Sequence, residues 1–253
     1  VQKTVNPFFI EMRFGLKMSY SCKTMKPRLV FFDIDGTLGR FGSLNRYCIR
    51  EAFKKMWGIL PSFDRINLVG KVDIEIFKEL LKEAGLKNLS TSSLLEALKL
   101  YADIYVLQME NWKDYELFAG VKELLLLLKN NPGIYITLLT GNVKEVAWAK
   151  IKKIGLTEFF LKDAGTYGEE AMTREQLVSI GIDKCSNLWC KEWYRIFLVG
   201  DSPLDVYSAR KNNITSIAVG TGFINGEELK ASNPDYFYND FKNYIKIYEV
   251  ISK

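Results

Sequence analysis

Four short runs of apolar and aromatic residues, at 29–34, 134–139, 196–199 and 214–219, each stop at a cluster of acidic, hydroxyl or glycine residues. Short, mostly apolar runs of this length have the pattern of strands covered on both faces. A weaker run lies at 236–238. Between them, apolar positions recur with helical spacing at 121–130, 143–154, 173–180 and 204–212. Strands alternating with helices predict right-handed crossovers and a parallel sheet, hence an α/β class. The stretch 39–114 breaks the alternation. It carries amphipathic helical segments such as 74–84 and 94–109, punctuated by Pro61 and Gly70, and no convincing strand. It therefore predicts an all-helical insertion after the first strand.

In a parallel sheet of this kind, ligands bind outside the carboxyl ends of the strands. Those ends carry Asp33 and Asp35, then Thr140, then Asp201. Residues distant in sequence are thereby predicted to meet in one crevice.

Composition narrows the chemistry such a crevice can perform. The 253 residues are 48% hydrophobic and 26% charged, as expected of a folded globular chain with a sizeable core. There is no histidine, which removes histidine-based triads, metal sites and general bases together. Cys22, Cys48, Cys185 and Cys190 lack Cys-x-x-Cys spacing, so free thiols in a reducing compartment are expected rather than a zinc site. The net charge of +5 is spread over many lysines, which predicts a solvated surface and no nucleic-acid partner. No run approaches the roughly 18 apolar residues of a membrane span, so no membrane association is expected and a cytoplasmic location is predicted. Residues 1–25 are basic, with no apolar run followed by a small-residue cleavage site, and read as an N-terminal extension.

The sharpest signal is Asp33-Ile34-Asp35-Gly36-Thr37. Two carboxylates two residues apart at a strand end can divide labour, one attacking phosphorus while the other protonates the leaving oxygen and then activates water. Gly200-Asp201-Ser202-Pro203-Leu204-Asp205 is its partner. A divalent cation needs hard oxygen ligands, and Asp201 would complete a site begun by Asp33. Asp205 and Ser202 fall at a helix start, where they either support that site or cap the helix. So many acids in one crevice call for a cation, and Mg²⁺ is the one implied. Thr140-Gly141-Asn142, at a strand-to-helix turn, offers a hydroxyl and free N–H groups to a phosphate oxygen. Arg174 is the candidate cation for the phosphoryl oxygens.

With these residues placed, the chain resembles the haloacid dehalogenase-like hydrolase superfamily, over roughly 26–253. Asp33 to Leu38 looks like its first motif, Thr140 its second, Arg174 its usual Lys or Arg, and Gly200-Asp201 with Asp205 its fourth. Leu139-Thr140-Gly141-Asn142 and Gly70-Lys71-Val72-Asp73 are similar to phosphoglycolate phosphatase-like members. The resemblance implies a Rossmann-like doubly wound core, 26–38 and 115–253, with a mobile helical cap, 39–114. It also implies an aspartyl-phosphate on Asp33, Asp35 as general acid and base, and Mg²⁺ held by the Asp33 carboxylate, the Asp35 carbonyl and the Asp201 carboxylate. Dehalogenases lack the second aspartate, so Asp35 favours phosphoryl transfer.

The expected activity is hydrolysis of a small phosphorylated metabolite by a monomer or homodimer. In the cap, Gly70 and Lys71 are candidates to reach over the crevice toward an anionic group of the substrate, with Arg40, Arg46 and Arg50 weaker ones. A sugar-phosphate mutase, a phosphonatase using Lys71 as a Schiff-base former, and a binding protein that has lost activity are the alternatives. The segment 182–194, with Cys185, Trp189, Cys190 and Trp193, is longer and more aromatic than the resemblance leads one to expect before the fourth motif.

Overall fold

The computed structural model describes residues 26–86 and 89–253; the N-terminal extension lies outside the described residues. The chain opens with β1 (Arg28–Phe32), then leaves through β2 (Gly39–Arg40) into the helices α1 (Leu44–Trp57), α2 (Asp73–Glu83) and α3 (Thr91–Asn111). It returns through β3 (Glu116–Leu117) to α4 (Val121–Lys129), β4 (Ile134–Leu138), α5 (Lys144–Lys153), α6 (Arg174–Trp189), β5 (Arg195–Gly200) and α7 (Pro203–Lys211). It closes with β6 (Thr215–Val219), α8 (Gly226–Ala231), β7 (Tyr236–Tyr238) and α9 (Tyr244–Ser252).

Five of these strands form one parallel sheet in the order β4-β1-β5-β6-β7. Leu29 to Phe32 are fully buried, as a central strand covered on both faces requires. From β1 the chain steps outward to β4, then crosses back over β1 to β5. This reversal sends right-handed crossovers to opposite faces, with α4 on one and α6 and α7 on the other. It also opens a crevice at the carboxyl end of β1, beside β4 and β5. The Rossmann-like, doubly wound α/β class expected from the sequence is the observed one.

The helical excursion between β2 and β3 forms the cap. Its interior is a run of touching rings, with Phe53, Phe77, Tyr101 and Tyr105 successively 5.4, 5.5 and 5.9 Å apart. Tilted and edge-on ring contacts of this kind let the three helices bury a shared apolar interior. The excursion is not purely helical, contrary to the expectation for 39–114. Gly39 and Arg40 pair antiparallel with Leu117 and Glu116, and Arg40 Nε lies 2.9 Å from Glu116 Oε2. Two residues of ladder are too short to show periodicity in sequence, yet they tie both chain crossings into one joint.

The segment 182–194 also differs from its reading as a linker. Helix α6 continues through Gly181 to Trp189 and ends where Cys190 takes a left-handed conformation, φ 50°. Trp189 and Trp193 pack on Tyr135 of β4, ring centroids 5.1 and 5.2 Å away, so the aromatic residues cover the sheet rather than span a loop.

Candidate active site

The crevice is built from three strand ends. Asp33 follows β1 directly, and its N–H still donates to Val199 O of β5 at 3.0 Å, which prolongs the ladder and fixes the side chain over the sheet edge. The chain then turns back tightly, with Gly36 N–H donating to Gly39 O at 2.8 Å and Leu38 N–H to Ile34 O at 2.9 Å. Gly36 sits at φ +78°, and a Cβ there would overlap the Asp201 carboxylate. Glycine at this position is what lets the first and third strand ends approach.

Asp201 follows β5 and is buried, with Thr37 Oγ1 donating to its Oδ1 at 3.3 Å. Asp205 closes a capping box on α7: Ser202 Oγ accepts from Asp205 N–H at 3.2 Å, while Asp205 Oδ2 accepts from Ser202 N–H and O–H at 3.1 and 2.6 Å. Its other oxygen takes Arg174 Nη2 at 2.5 Å. Capping and support of the site therefore fall to the same residue.

Arg174, at the start of α6, is 2% exposed and lies between two acids, with Nη2 3.0 Å from Asp33 Oδ1 and donating also to Leu139 O at 3.3 Å. Its Nε–H is buried and has no partner among the described residues. Thr140 is fully buried, with its N–H on Thr166 O and its Oγ1 accepting from the Asn142 amide at 2.8 Å. As an acceptor there, the Thr140 hydroxyl keeps its own proton to donate elsewhere.

Carboxylate oxygens of Asp33, Asp201 and Asp205 lie within 4.8 Å of one another. Arg174 offsets Asp33 and Asp205, while Asp201 has no cationic partner among the described residues. Burial pushes Asp33 up to about 7, against the pull of Arg174 and with the help of Asp205 and Asp35. Burial, then Asp33, Asp205 and Asp35, raise Asp201 well above the usual carboxylate range. Three acids this close cannot all stay charged without a cation, and hard oxygen donors at this spacing suit a small divalent one. The donor set fits Mg²⁺.

Asp35 points to the cap side. Lys150 Nζ donates to both of its oxygens, at 2.8 and 2.6 Å, and Asn142 Nδ2 donates to Oδ2 at 2.6 Å. Lys150 also donates to Asn142 Oδ1 at 2.7 Å. The side chain of Asn142 is thereby engaged by Asp35 and Lys150 instead of standing open to a phosphate. Sequence reasoning missed Lys150. The signal was its place in the apolar stripe Val146, Ala147, Lys150, Ile151, where a lysine is out of pattern.

The cap reaches the crevice through Gly70 and Lys71. A Cβ on Gly70 would meet Ser202 Oγ, and one on Gly141 would overlap Lys71 O, so backbone packs on backbone at the seam. The Lys71 amino group turns away, to Glu79 and, at 3.8 Å, Glu75. Arg46 and Arg50 lie over the Phe63 ring. Asp73, at the end of the Gly70–Asp73 motif, bridges cap and core: its Oδ2 accepts from Val143 N–H at 2.9 Å and its own N–H donates to Gly141 O at 2.7 Å.

The sequence profile of haloacid dehalogenase-like hydrolases matches residues 30–219, from β1 to the end of β6. The chain belongs to the haloacid dehalogenase-like hydrolases. Among curated relatives, it is 24% identical over 217 residues to a phosphoglycolate phosphatase of Vibrio vulnificus, covering 83% of this chain and 90% of that one. It is 22% identical over 229 residues to the pyrophosphatase PpaX of Oceanobacillus iheyensis, covering 88% of this chain and 97% of that one. CbbY from Rhodobacter sphaeroides, solved in complex with phosphate, superposes with a TM-score of 0.67 at 19% identity over 86% of this chain and 96% of that one. That last likeness is one of fold. No helix of the described residues is long and apolar enough to cross a membrane.

Proposed function

We propose that this hydrolase is a Mg²⁺-dependent phosphatase acting on a small phosphate monoester, phosphoglycolate-like in size and charge, through an aspartyl-phosphate on Asp33. The observation that carries the reading is that Asp33 sits between a cationic clamp, Arg174, and the unpaired acid Asp201, with Asp35 two residues further on. Asp33, Asp201 and the Asp35 backbone would hold Mg²⁺, with Asp205 behind them. When bound, the ion neutralises the acids and draws charge from the phosphoryl oxygens.

The chain's own residues supply the rest. A carboxylate oxygen of Asp33 attacks phosphorus in line as the bond to the leaving oxygen breaks, and Asp35 gives that oxygen a proton. Asp35 then takes a proton from the water that attacks phosphorus, which frees Asp33 and releases phosphate. Arg174 and the Thr140 hydroxyl hold the phosphoryl oxygens, and the cap keeps bulk water from the intermediate. The Lys71 ammonium could address a substrate carboxylate only by leaving Glu75 and Glu79, so the cap's contribution through Gly70 and Lys71 is chiefly closure over Gly141 and Ser202.

A panel of phosphate esters and pyrophosphate, with Mg²⁺ and with chelator, tests the reading. Metal-dependent phosphate release from a small monoester, without a bisphosphate activator, is the expected result; interconversion of sugar phosphates would favour a mutase instead. Asp33→Asn should lower turnover at least ~10³-fold while the fold stays intact. Retained activity in that variant would remove Asp33 as nucleophile.

A further inference from the structure

Lys150 is fully buried, on the face of α5 turned toward the cap. Beyond its contacts to Asp35 and Asn142, its ammonium lies 5.3 Å from the ring centroids of both Phe41, where the chain enters the cap, and Tyr105 of α3. A charged group in this setting is costly to desolvate, and a methionine or leucine would continue the stripe of Val146, Ala147 and Ile151 without that cost. Stability therefore does not account for a lysine here. What the lysine does accomplish is geometric. It grips both oxygens of Asp35, braces Asn142 against the same carboxylate, and is itself shielded from water under the cap rings, while the Asp35 side chain stays 35% exposed.

We propose that Lys150 is a positioning residue that fixes the Asp35 carboxylate for proton transfer, with Phe41 and Tyr105 completing its seat when the cap is closed. The inference rests on Asp35 being the general acid and base. It assigns to Lys150 no contact with the phosphoryl group, whose clamp is Arg174, 34 positions beyond Thr140 on a different helix. Positioning of this kind matters because a carboxylate about 1 Å off line loses much of its catalytic advantage.

The test uses p-nitrophenyl phosphate and an alkyl phosphate on the Mg²⁺-loaded enzyme. Nitrophenolate leaves without a proton, so with that ester Asp35 is needed only to hydrolyse the aspartyl-phosphate. Lys150→Met should keep a burst near one nitrophenolate per site while the steady phase slows ~10–100-fold, and should lose kcat/KM for the alkyl ester by a similar factor. Asp35→Asn should show the same burst, and adding Lys150→Met to it should change rates by less than about twofold, since both act through one group. If Lys150→Met does not fold, Lys150→Gln carries the same comparison. A burst and steady phase slowed in equal proportion, or additive losses in the double variant, would overturn the role of Lys150 while leaving Asp35 in place. If Asp35→Asn itself keeps full turnover of the alkyl ester, the general acid assignment fails, and the role of Lys150 with it.

Discussion

The Asp73 carboxylate, on the first turn of cap helix α2, accepts a 2.9 Å hydrogen bond from the Val143 N–H that opens core helix α5. Val143 has no capping side chain of its own, so a residue of the cap shares the capping of a core helix with Glu169, which accepts from Lys144 N–H at 3.1 Å. The Asp73 N–H to Gly141 O bond, 2.7 Å, doubles the connection. Cap closure and the order of the Thr140–Val143 turn are thereby linked.

Removing that side chain should loosen the seam. Asp73→Ala is expected to cost ~1 kcal/mol, the usual worth of a helix cap, and to raise KM several-fold more than it lowers kcat. Thermal melting and steady-state kinetics check both. An unchanged KM would mean the cap closes without this bond.

Burial pushes Asp73 up to about 7, only partly offset by the Val143 N–H, and it pushes Asp33 to the same range. Both folded values lie above the unfolded value, so between about pH 4 and 7 the native state holds protons that the unfolded chain has released. Their contribution is complete below about pH 4 and is lost as the pH rises through about 7. In chelator, the melting temperature should therefore fall by several degrees from pH 5 to pH 8. Mg²⁺ needs Asp33 deprotonated, so the stabilisation it gives should be larger at pH 8 than at pH 5.5. A melting temperature in chelator that rises over this interval would contradict the sign.

Much of this was legible in the chain because it is local. Strands β1, β4, β5 and β6 are apolar runs that end in the residues they present, so Asp33, Thr140 and Asp201 could be placed at one sheet edge before any contact was known. The parts that were not legible depend on partners far away. Lys150 shares α5 with Lys144, Lys152 and Lys153; its place in the apolar stripe sets it apart from them, but only the three-dimensional meeting with Asp35, 115 positions earlier, shows what it does. Asp73 caps a helix 70 positions downstream. The β2–β3 joint is too short to carry a pattern, and the helical pattern at 173–180 stops short of where α6 ends.

Gly181 is a packing residue within α6. A Cβ there would lie 2.9 Å from Thr166 Oγ1 and 3.1 Å from the Phe31 ring of β1. Alanine normally gains ~1 kcal/mol over glycine inside a helix. Here overpacking, ~1–3 kcal/mol, should outweigh that gain, so Gly181→Ala is expected to be destabilising in urea titration. A more stable variant would show that Thr166 and Phe31 yield freely.

Arg174 offers the largest expected effect, because it has two dependants. Replaced by methionine, it leaves Asp33 and Asp205 buried without their shared cation, and the one influence holding the Asp33 carboxyl down is gone. Breaking a buried pair from one side costs ~3–5 kcal/mol, mainly as the desolvation of the charges left behind. Arg174→Met should lose that much stability in chelator at pH 8, and less at pH 5, because burial raises Asp33 to about 7 and the lower pH favours its neutral form. The same change removes the donor proposed to face the phosphoryl oxygens and should lower kcat/KM by at least ~10²-fold. Arg174→Lys keeps the charge but not the planar guanidinium, whose Nη2 meets both carboxylates, so it should recover part of the stability and little of the rate. Urea midpoints at the two pH values, set beside kcat/KM, separate these effects; a stability loss equal at both would mean that Asp33 is not the acid Arg174 offsets.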